Sequence, residues 1–355
     1  MRGGMKAAVF HGVEDIRIET VEDPRADAGS VVLEVIACGV CGSDIKTFLT
    51  GKLARTGQIL GHEFVGRIVE IGSGVTDVKI GEVVTAMPFS PCKQCPRCLE
   101  GKISLCENAF DQSIANGLPG GLAQYVRIPG AEVGTTLFRL PQGVSPEFGA
   151  LSEPLAVGLH AVEISGAKNT DIAVVLGLGT IGLAVVCALV SQGVGMIVAV
   201  DPSSKRRDVA SRMGAMVVDP ANQDLVEVVQ SFAGKGKYGY LSNADLLFDC
   251  AGSVELLNSS LKLLRLGGSV VLAALYREKL VIDGTMVVRR GVKMVGTFAY
   301  DDQFGRAVQM LQAGPLSVEN LVSHRFGLDQ VMEAFKTQAD PQSSVKVFVK
   351  PEVMQ

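Results

Sequence analysis

Between Asp171 and Asp201 the chain reads DIAVVLGLGTIGLAVVCALVSQGVGMIVAVD, with no charged side chain between the two aspartates. A stretch this long and this apolar has few destinations. It crosses a membrane as one helix, or it is divided into shorter elements that are buried on every side. The glycines decide between these. Gly177, Gly179 and Gly182 form G-x-G-x-x-G, and Gly193 and Gly195 interrupt the run again before Met196. The pieces read as a strand at Ile172–Leu176, a turn, a helix at Thr180–Ser191, a turn, and a strand at Met196–Val200. Both strands are apolar throughout, as expected where a parallel sheet is covered on both faces.

In that setting the glycine spacing carries a mechanism. Gly177 permits the tight turn out of the strand, Gly179 lets backbone approach a pyrophosphate, and Gly182 lets helix pack on strand. Thr180 and Ile181 open the helix, whose first N–H groups are free to meet an anion. Asp201 closes the second strand nineteen residues after Gly182. A carboxylate there accepts both hydroxyls of an adenosine ribose and repels a 2′-phosphate, which predicts NAD rather than NADP. Lys205, Arg206 and Arg207, just downstream, are the opposing feature.

With 355 residues, 47% of them hydrophobic, the chain is long enough for two domains with substantial cores. A net charge of −4 and the lack of any block of like charge give no sign of a nucleic-acid partner. The opening MRGGMKAAVFHG becomes a strand pattern almost at once and lacks the apolar core of a signal peptide. The expectation is a soluble cytoplasmic protein without a membrane partner. In that reducing compartment its eight cysteines suit metal better than disulfides.

From Met5 to about Pro141 short β patterns alternate with glycine turns, among them Val31–Ala37, Val65–Ile71 and Val83–Met87, which predicts a β-rich, partly barrel-like domain. From about Pro154 the pattern becomes strand–helix–strand. Further strands are expected at 216–218, 244–250 and 269–275, with helices at 223–232 and 254–266 between them. The fold class is therefore α/β, a doubly wound parallel sheet beside a β-rich domain. A strand at 294–298, a helix at 302–312 and a final alternating strand at 344–350 follow, and the last resembles the first domain more than the second. The expected division is 1–153 with 293–355 for the β-rich domain and 154–292 for the nucleotide-binding one.

Two clusters can carry chemistry. Cys92, Cys95, Cys98 and Cys106 are spaced C-x2-C-x2-C-x7-C. Four thiolates converging on one tetrahedral Zn²⁺ leave no open position, so this is a structural site. The second set is Cys41, the adjacent His62 and Glu63, and Glu153. One sulfur, one imidazole and carboxylates suit a Zn²⁺ that keeps a position for water or substrate. Taken singly, Cys41 also reads as a small core residue, His62 as a satisfied loop histidine and Glu63 as a surface charge. No spacing in the sequence brings Glu153 to Cys41. His160, Cys187 and Cys250 read as buried structural residues.

The motifs CGVCGSD, GHEFVG, the four-cysteine lobe, GGLAQYV, SEPLAVGLHAV and GLGTIG, with Asp201 following, occur in that order. Over nearly its whole length the chain resembles the zinc-dependent medium-chain dehydrogenase/reductase family. The resemblance implies a GroES-like catalytic domain, discontinuous around a Rossmann domain, and an NAD-dependent dehydrogenase of secondary alcohols. It implies a catalytic zinc on Cys41, His62 and a carboxylate from Glu63 or Glu153, with Asp44 orienting the histidine and Ser43 first in a proton relay. It also implies a base beside the ribose at Arg206, two zinc ions per chain and a homodimer or homotetramer. Glu153 within SEPLAV resembles the polyol, threonine and butanediol dehydrogenase branch; other alcohol dehydrogenases have cysteine there. Two departures are Lys46, where many relatives have a relay histidine, and Ala299, where sorbitol dehydrogenases carry an arginine. The alternative is a non-catalytic nucleotide-binding protein that has kept the fold, against which the intact set Cys41, His62, Glu63 and Glu153 weighs.

Overall fold

The computed structural model describes residues 4–109, 111, 113–235, 242–313 and 318–351. The uncharged run is divided as its glycines predict, into a strand Ile172–Leu176, a helix Thr180–Ser191 and a strand Met196–Val200. The strands pair in parallel, Ile172 opposite Met196 and Leu176 opposite Val200. Residues 173–176, 183–189 and 197–200 are all buried. The run is apolar because it is the interior of a covered sheet. Among the described residues no helix is long and apolar enough to cross a membrane.

These strands sit within a six-stranded sheet in the order Met216–Val218, Met196–Val200, Ile172–Leu176, Ala244–Asp249, Leu264–Leu272, Lys293–Gly296. Every pairing is parallel. The order reverses between Ile172–Leu176 and Ala244–Asp249, and a ligand crevice opens beyond the carboxyl ends of strands at such a reversal.

Three expectations are corrected here. The helix expected at 254–266 stops at Ser260, a 3₁₀ turn covers Leu261–Leu263, and the next strand begins at Leu264 and runs through Gly267 and Gly268. A buried guanidinium explains the early stop. Arg290 donates to the carbonyls of Leu261 at 2.9 Å, Lys262 at 3.5 Å and Leu264, so those carbonyls leave the helical ladder. The strand expected at 269–275 ends at Leu272, because the N–H groups of Ala273 and Ala274 both turn to the carbonyl of Asp249. Cys250 lies one residue beyond its strand and is only partly covered, whereas Cys187 is fully buried.

The remaining strands build the β-rich unit around Val31–Gly39. That strand pairs antiparallel with Glu63–Ile71, Tyr125–Ile128 and Lys346–Lys350. Val322–Gly327, Val83–Ala86 and Leu137–Arg139 complete a seven-stranded sheet, and Met5–Gly12 forms a smaller one with Asp15–Val21 and Gln58–Ile59. Leu33, Phe64, Ile68, Phe48, Phe335 and Val347 share its core. The final strand thus returns to the first half of the chain, and its residues 346–349 are all buried there.

The chain divides into two units, one of residues up to Glu153 with Asp301–Ala313 and the residues from Val318, the other containing Pro154–Tyr300. The boundary expected at 292/293 moves to 300/301. Lys293–Gly296, slightly earlier than the strand expected at 294–298, pairs with Leu264–Leu272 and forms the edge of the parallel sheet.

Candidate active site and metal centres

The four cysteines occupy one short lobe. Pro96 opens a single helical turn, Pro96–Leu99, with Cys95 as its N-cap. Backbone N–H groups point at the sulfurs, from Cys92 to Cys106 Sγ at 3.4 Å and from Cys95 to Cys92 Sγ at 3.3 Å. The N–H groups of Glu107 and Cys98 bring the Cys95 thiol down to about 6. Burial and the neighbouring thiols push Cys98 up to about 12. Without an ion the quartet therefore holds protons, which metal binding expels. Four sulfurs at 2.3 Å from one tetrahedral ion lie about 3.8 Å apart. Cys92 and Cys98 Sγ are 3.9 Å apart, all four sulfurs lie within 4.8 Å of one another, and none is in a disulfide. The lobe fits zinc.

The mixed cluster is assembled by sheet register. Val31–Gly39 leads through Val40 to Cys41, the N-cap of the helix Gly42–Thr50. Asp44 turns back to accept the Cys41 N–H at 2.9 Å and so fixes the turn that carries the thiol. Gly39 lies opposite Glu63 in the antiparallel ladder, which brings His62 and Glu63 to the same place. The donor atoms of Cys41, His62 and Glu63 all lie within 4.8 Å of one another. Donors at 2.0–2.3 Å from one tetrahedral zinc lie about 3.3–3.8 Å apart, inside that limit. Glu153, in the first turn of the helix Ser152–Ser165, stands outside the triangle but close enough for its charge to act on His62. Ser43 and Lys46 are half-buried on the helix that Cys41 caps.

The cluster is largely buried and rich in acidic groups, with Asp44, Glu63 and Glu153 all covered. Burial lifts Glu153 to about 7, with Glu63 adding to the effect. Burial likewise raises Asp44. For His62 burial opposes the charged ring, but the Cys41 thiolate and Asp44 carboxylate outweigh it and hold the imidazole well above its usual pKa. His62 Nδ1 and Asp44 Oδ1 are 3.9 Å apart, an ion-pair distance that suits an orienting partner. A concentration of anionic donors away from water is stabilised by a bound cation. These residues also fit zinc.

In the parallel sheet, Gly177 has φ of +83°, and a Cβ there would stand 2.9 Å from Ala251. A Cβ on Gly182 would stand 1.9 Å from the Gly177 carbonyl oxygen. Space around Gly179 is open except for Arg206 Nη1, so backbone is exposed where a pyrophosphate would lie. Asp201 is buried at the tip of its strand, accepting the Leu178 N–H at 2.7 Å and the Ser203 N–H at 2.8 Å. Arg206 lies 3.9 Å from that carboxylate. Arg207, by contrast, is engaged with Asp219 at 2.8 Å and the Asp201 carbonyl at 2.7 Å. His160 is buried, with its Nδ1 2.7 Å from the Thr297 hydroxyl.

Two features escaped the sequence. Lys346 is wholly buried and bonds both oxygens of Glu63. A lysine at the start of a strand that also ends in lysine looks like a solvated end, and nothing local distinguishes it. Asp249, also fully buried, accepts the N–H groups of Ala251 and Gly252, each at 3.0 Å, and the hydroxyl of Tyr276. That network braces the loop against which Gly177 packs. The FDCAG sequence hints at it only through an acid ending an apolar strand.

A doubly wound sheet with a phosphate-binding turn, in a chain that also gathers cysteine, histidine and carboxylate around one point, defines a nucleotide-linked metal-dependent oxidoreductase. Comparison with known proteins agrees. Residues 27–141 match the alcohol dehydrogenase GroES-like domain and residues 180–313 the zinc-binding dehydrogenase domain. The (R,R)-butanediol dehydrogenase of Bacillus subtilis (strain 168) is 33% identical, covering 98% of this chain and 100% of its own. Sorbitol dehydrogenase of Arabidopsis thaliana is 32% identical over 96% of this chain and 94% of its own. The solved structure of a zinc-binding dehydrogenase from Sinorhizobium meliloti 1021, bound to NADP, is 31% identical with a TM-score of 0.86, covering 99% of this chain and 100% of that one. The chain belongs to the zinc-dependent medium-chain dehydrogenase/reductase family and is an alcohol dehydrogenase of its polyol branch. The comparisons give no support to a non-catalytic role.

Proposed function

We propose that the enzyme oxidises a secondary alcohol of a small diol or polyol to the ketone, with NAD accepting the hydride, at a zinc ion held by Cys41, His62 and one carboxylate, from Glu63 or Glu153. The observation that carries this reading is the donor triangle of Cys41, His62 and Glu63 with Glu153 beside it. A zinc ion held there would lower the pKa of a hydroxyl bound to it and so ease its deprotonation. Ser43, on the helix that Cys41 caps, would accept that proton while passing its own hydroxyl proton on through the nicotinamide ribose towards solvent. Asp44 keeps the His62 ring oriented. Glu153, buried in the first turn of its helix beside the triangle, would hold a water beside the reacting oxygen. Cys92, Cys95, Cys98 and Cys106 hold a second, structural zinc.

NAD is favoured over NADP because a 2′-phosphate would meet the buried Asp201 carboxylate, while Arg207 is already committed to Asp219. Ala299 replaces the arginine of sorbitol dehydrogenases, so butanediol-like diols are better candidates than sorbitol. The edge strand Lys293–Gly296, with Met294 and Val295 half-covered, supports a homodimer or homotetramer. Unpaired cysteines suit the cytoplasm. Absorbance at 340 nm with a panel of diols and polyols tests the reading. Turnover of at least one secondary alcohol is expected, with at least about tenfold higher kcat/KM for NAD, worth about 1.4 kcal/mol. No turnover across the panel, or equal efficiency with both cofactors, contradicts it.

A further inference from the structure

Lys346 enters the metal pocket from the far end of the chain. Its ammonium donates to Glu63 Oε1 at 2.8 Å, to Glu63 Oε2 at 2.6 Å and to the Val40 carbonyl at 3.1 Å. Those three bonds use all its protons. Its place is set by the sheet, since the Val40 N–H donates to Val347 and Phe348 lies opposite Gly39. Glu63 is fixed from the other side as well. A Cβ on Gly39 would stand 2.1 Å from Glu63 Oε2, so the carboxylate rests on a surface that only glycine provides.

A buried ammonium is costly unless its charge is matched. Here the count is informative. Cys41, Asp44, Glu63 and Glu153 gather four acidic groups, more than one dication can offset, and Lys346 supplies a further positive charge. Coordination number points the same way. Cys41, His62, Glu63 and Glu153 all bound to one zinc would close the site like the four-cysteine lobe, whereas catalysis needs an open position. Glu63 is the nearer carboxylate, yet both its oxygens are already bonded to Lys346.

Resting on the metal reading above, we infer that Lys346 is a positioning residue which keeps Glu63 from becoming a full metal ligand and so preserves the open position for the substrate hydroxyl. It acts through Glu63 and touches no substrate. The test uses Co²⁺ in the catalytic site, because four-coordinate cobalt absorbs visible light more strongly than five- or six-coordinate cobalt. His62→Ala serves as the blank that subtracts the four-cysteine site. If the unmodified protein shows no band above that blank, the metal reading itself fails. If the band is present, Lys346→Met is expected to alter it and abolish its response to added alcohol, as Glu63 swings onto the metal. Adding Glu63→Gln to Lys346→Met should restore the response, while Lys346→Arg, which keeps charge and donors, should retain it. Gly39→Ala displaces Glu63 from its seat and is expected to act like Lys346→Met, which decides the matter should that variant not fold. Turnover should fall about 10–100-fold in the affected variants, the range for partners of metal ligands. An unchanged, alcohol-responsive band in Lys346→Met or Gly39→Ala would overturn the inference. So would a failure of Glu63→Gln to reverse the change.

Discussion

The two donor clusters of this chain differ in how they are made. The four cysteines come from one short lobe, and backbone N–H groups are their main company. The second cluster draws Cys41, His62 with Glu63, Glu153 and Lys346 from four separate segments; sheet register brings Cys41, Glu63 and Lys346 together, and Glu153 comes from the helix Ser152–Ser165. It also contains charged groups beyond those the metal needs, Asp44 and Lys346. A closed site requires only donors. A site that must hold a metal and still admit a substrate requires residues that restrain the donors.

That contrast can be broken by substitution, and the largest effect falls on the mixed cluster. His62→Ala removes a donor from the reacting site while the sheet that carries it remains. Loss of several kcal/mol of metal-assisted stabilisation predicts a fall in kcat/KM of at least about a thousandfold, with circular dichroism unchanged. A variant that loses its fold as well would erase the distinction between the clusters. Cys95→Ser should do the reverse. Removing a ligand of a closed site is expected to cost about 4 kcal/mol of stability, seen as a lower Tm or insoluble protein, because metal binding there is part of folding. Active, fully stable Cys95→Ser protein would show that the lobe needs no metal.

Asp44→Asn should have an intermediate effect. The amide can still accept the Cys41 N–H, but its charge no longer orients His62, so metal affinity should drop about 10–100-fold. Competition with a chelator measures this, and wild-type affinity would place Asp44 outside the centre.

The smallest effect concerns Glu147, whose cation partners lie on the strand that carries Lys346 and on its parallel neighbour Val322–Gly327. Glu147 accepts from Arg325 at 2.6–3.2 Å and from Lys350 at 3.3 Å. Arg325 holds it below its usual value of 4.5. A carboxylate lowered on folding contributes stability above its unfolded pKa and loses that contribution as pH falls through the folded one. Glu147→Gln should therefore cost under about 1 kcal/mol at neutral pH, as half-exposed pairs do. The difference in Tm from the unmodified protein should shrink at acid pH below 4.5. A difference that grows on acidification would reverse the sign.

Locality explains what the sequence made legible. The division of residues 172–200 into strand, helix and strand was readable because glycine breaks are local and the apolar character of each piece is internal to it. The cysteine quartet was readable for the same reason. The helix boundary at Ser260 was not, because Arg290, thirty residues on, draws the carbonyls out of line. Nor was Lys346, whose meaning depends on a partner 283 positions away. Glu153 joined the site in the sequence only through family resemblance, since no spacing rule spans the fold. Register and long-range charge pairing decide the catalytic pocket, and neither is written in neighbouring residues.

Timed chelation of the purified enzyme, with zinc content, turnover and circular dichroism followed on one sample, tests the central claim most directly. The account predicts two zinc ions per chain. One leaves early and takes turnover with it while the fold persists; the other leaves later, with loss of structure in the lobe. Fully active protein containing one zinc, or both ions departing together with the fold, would contradict it.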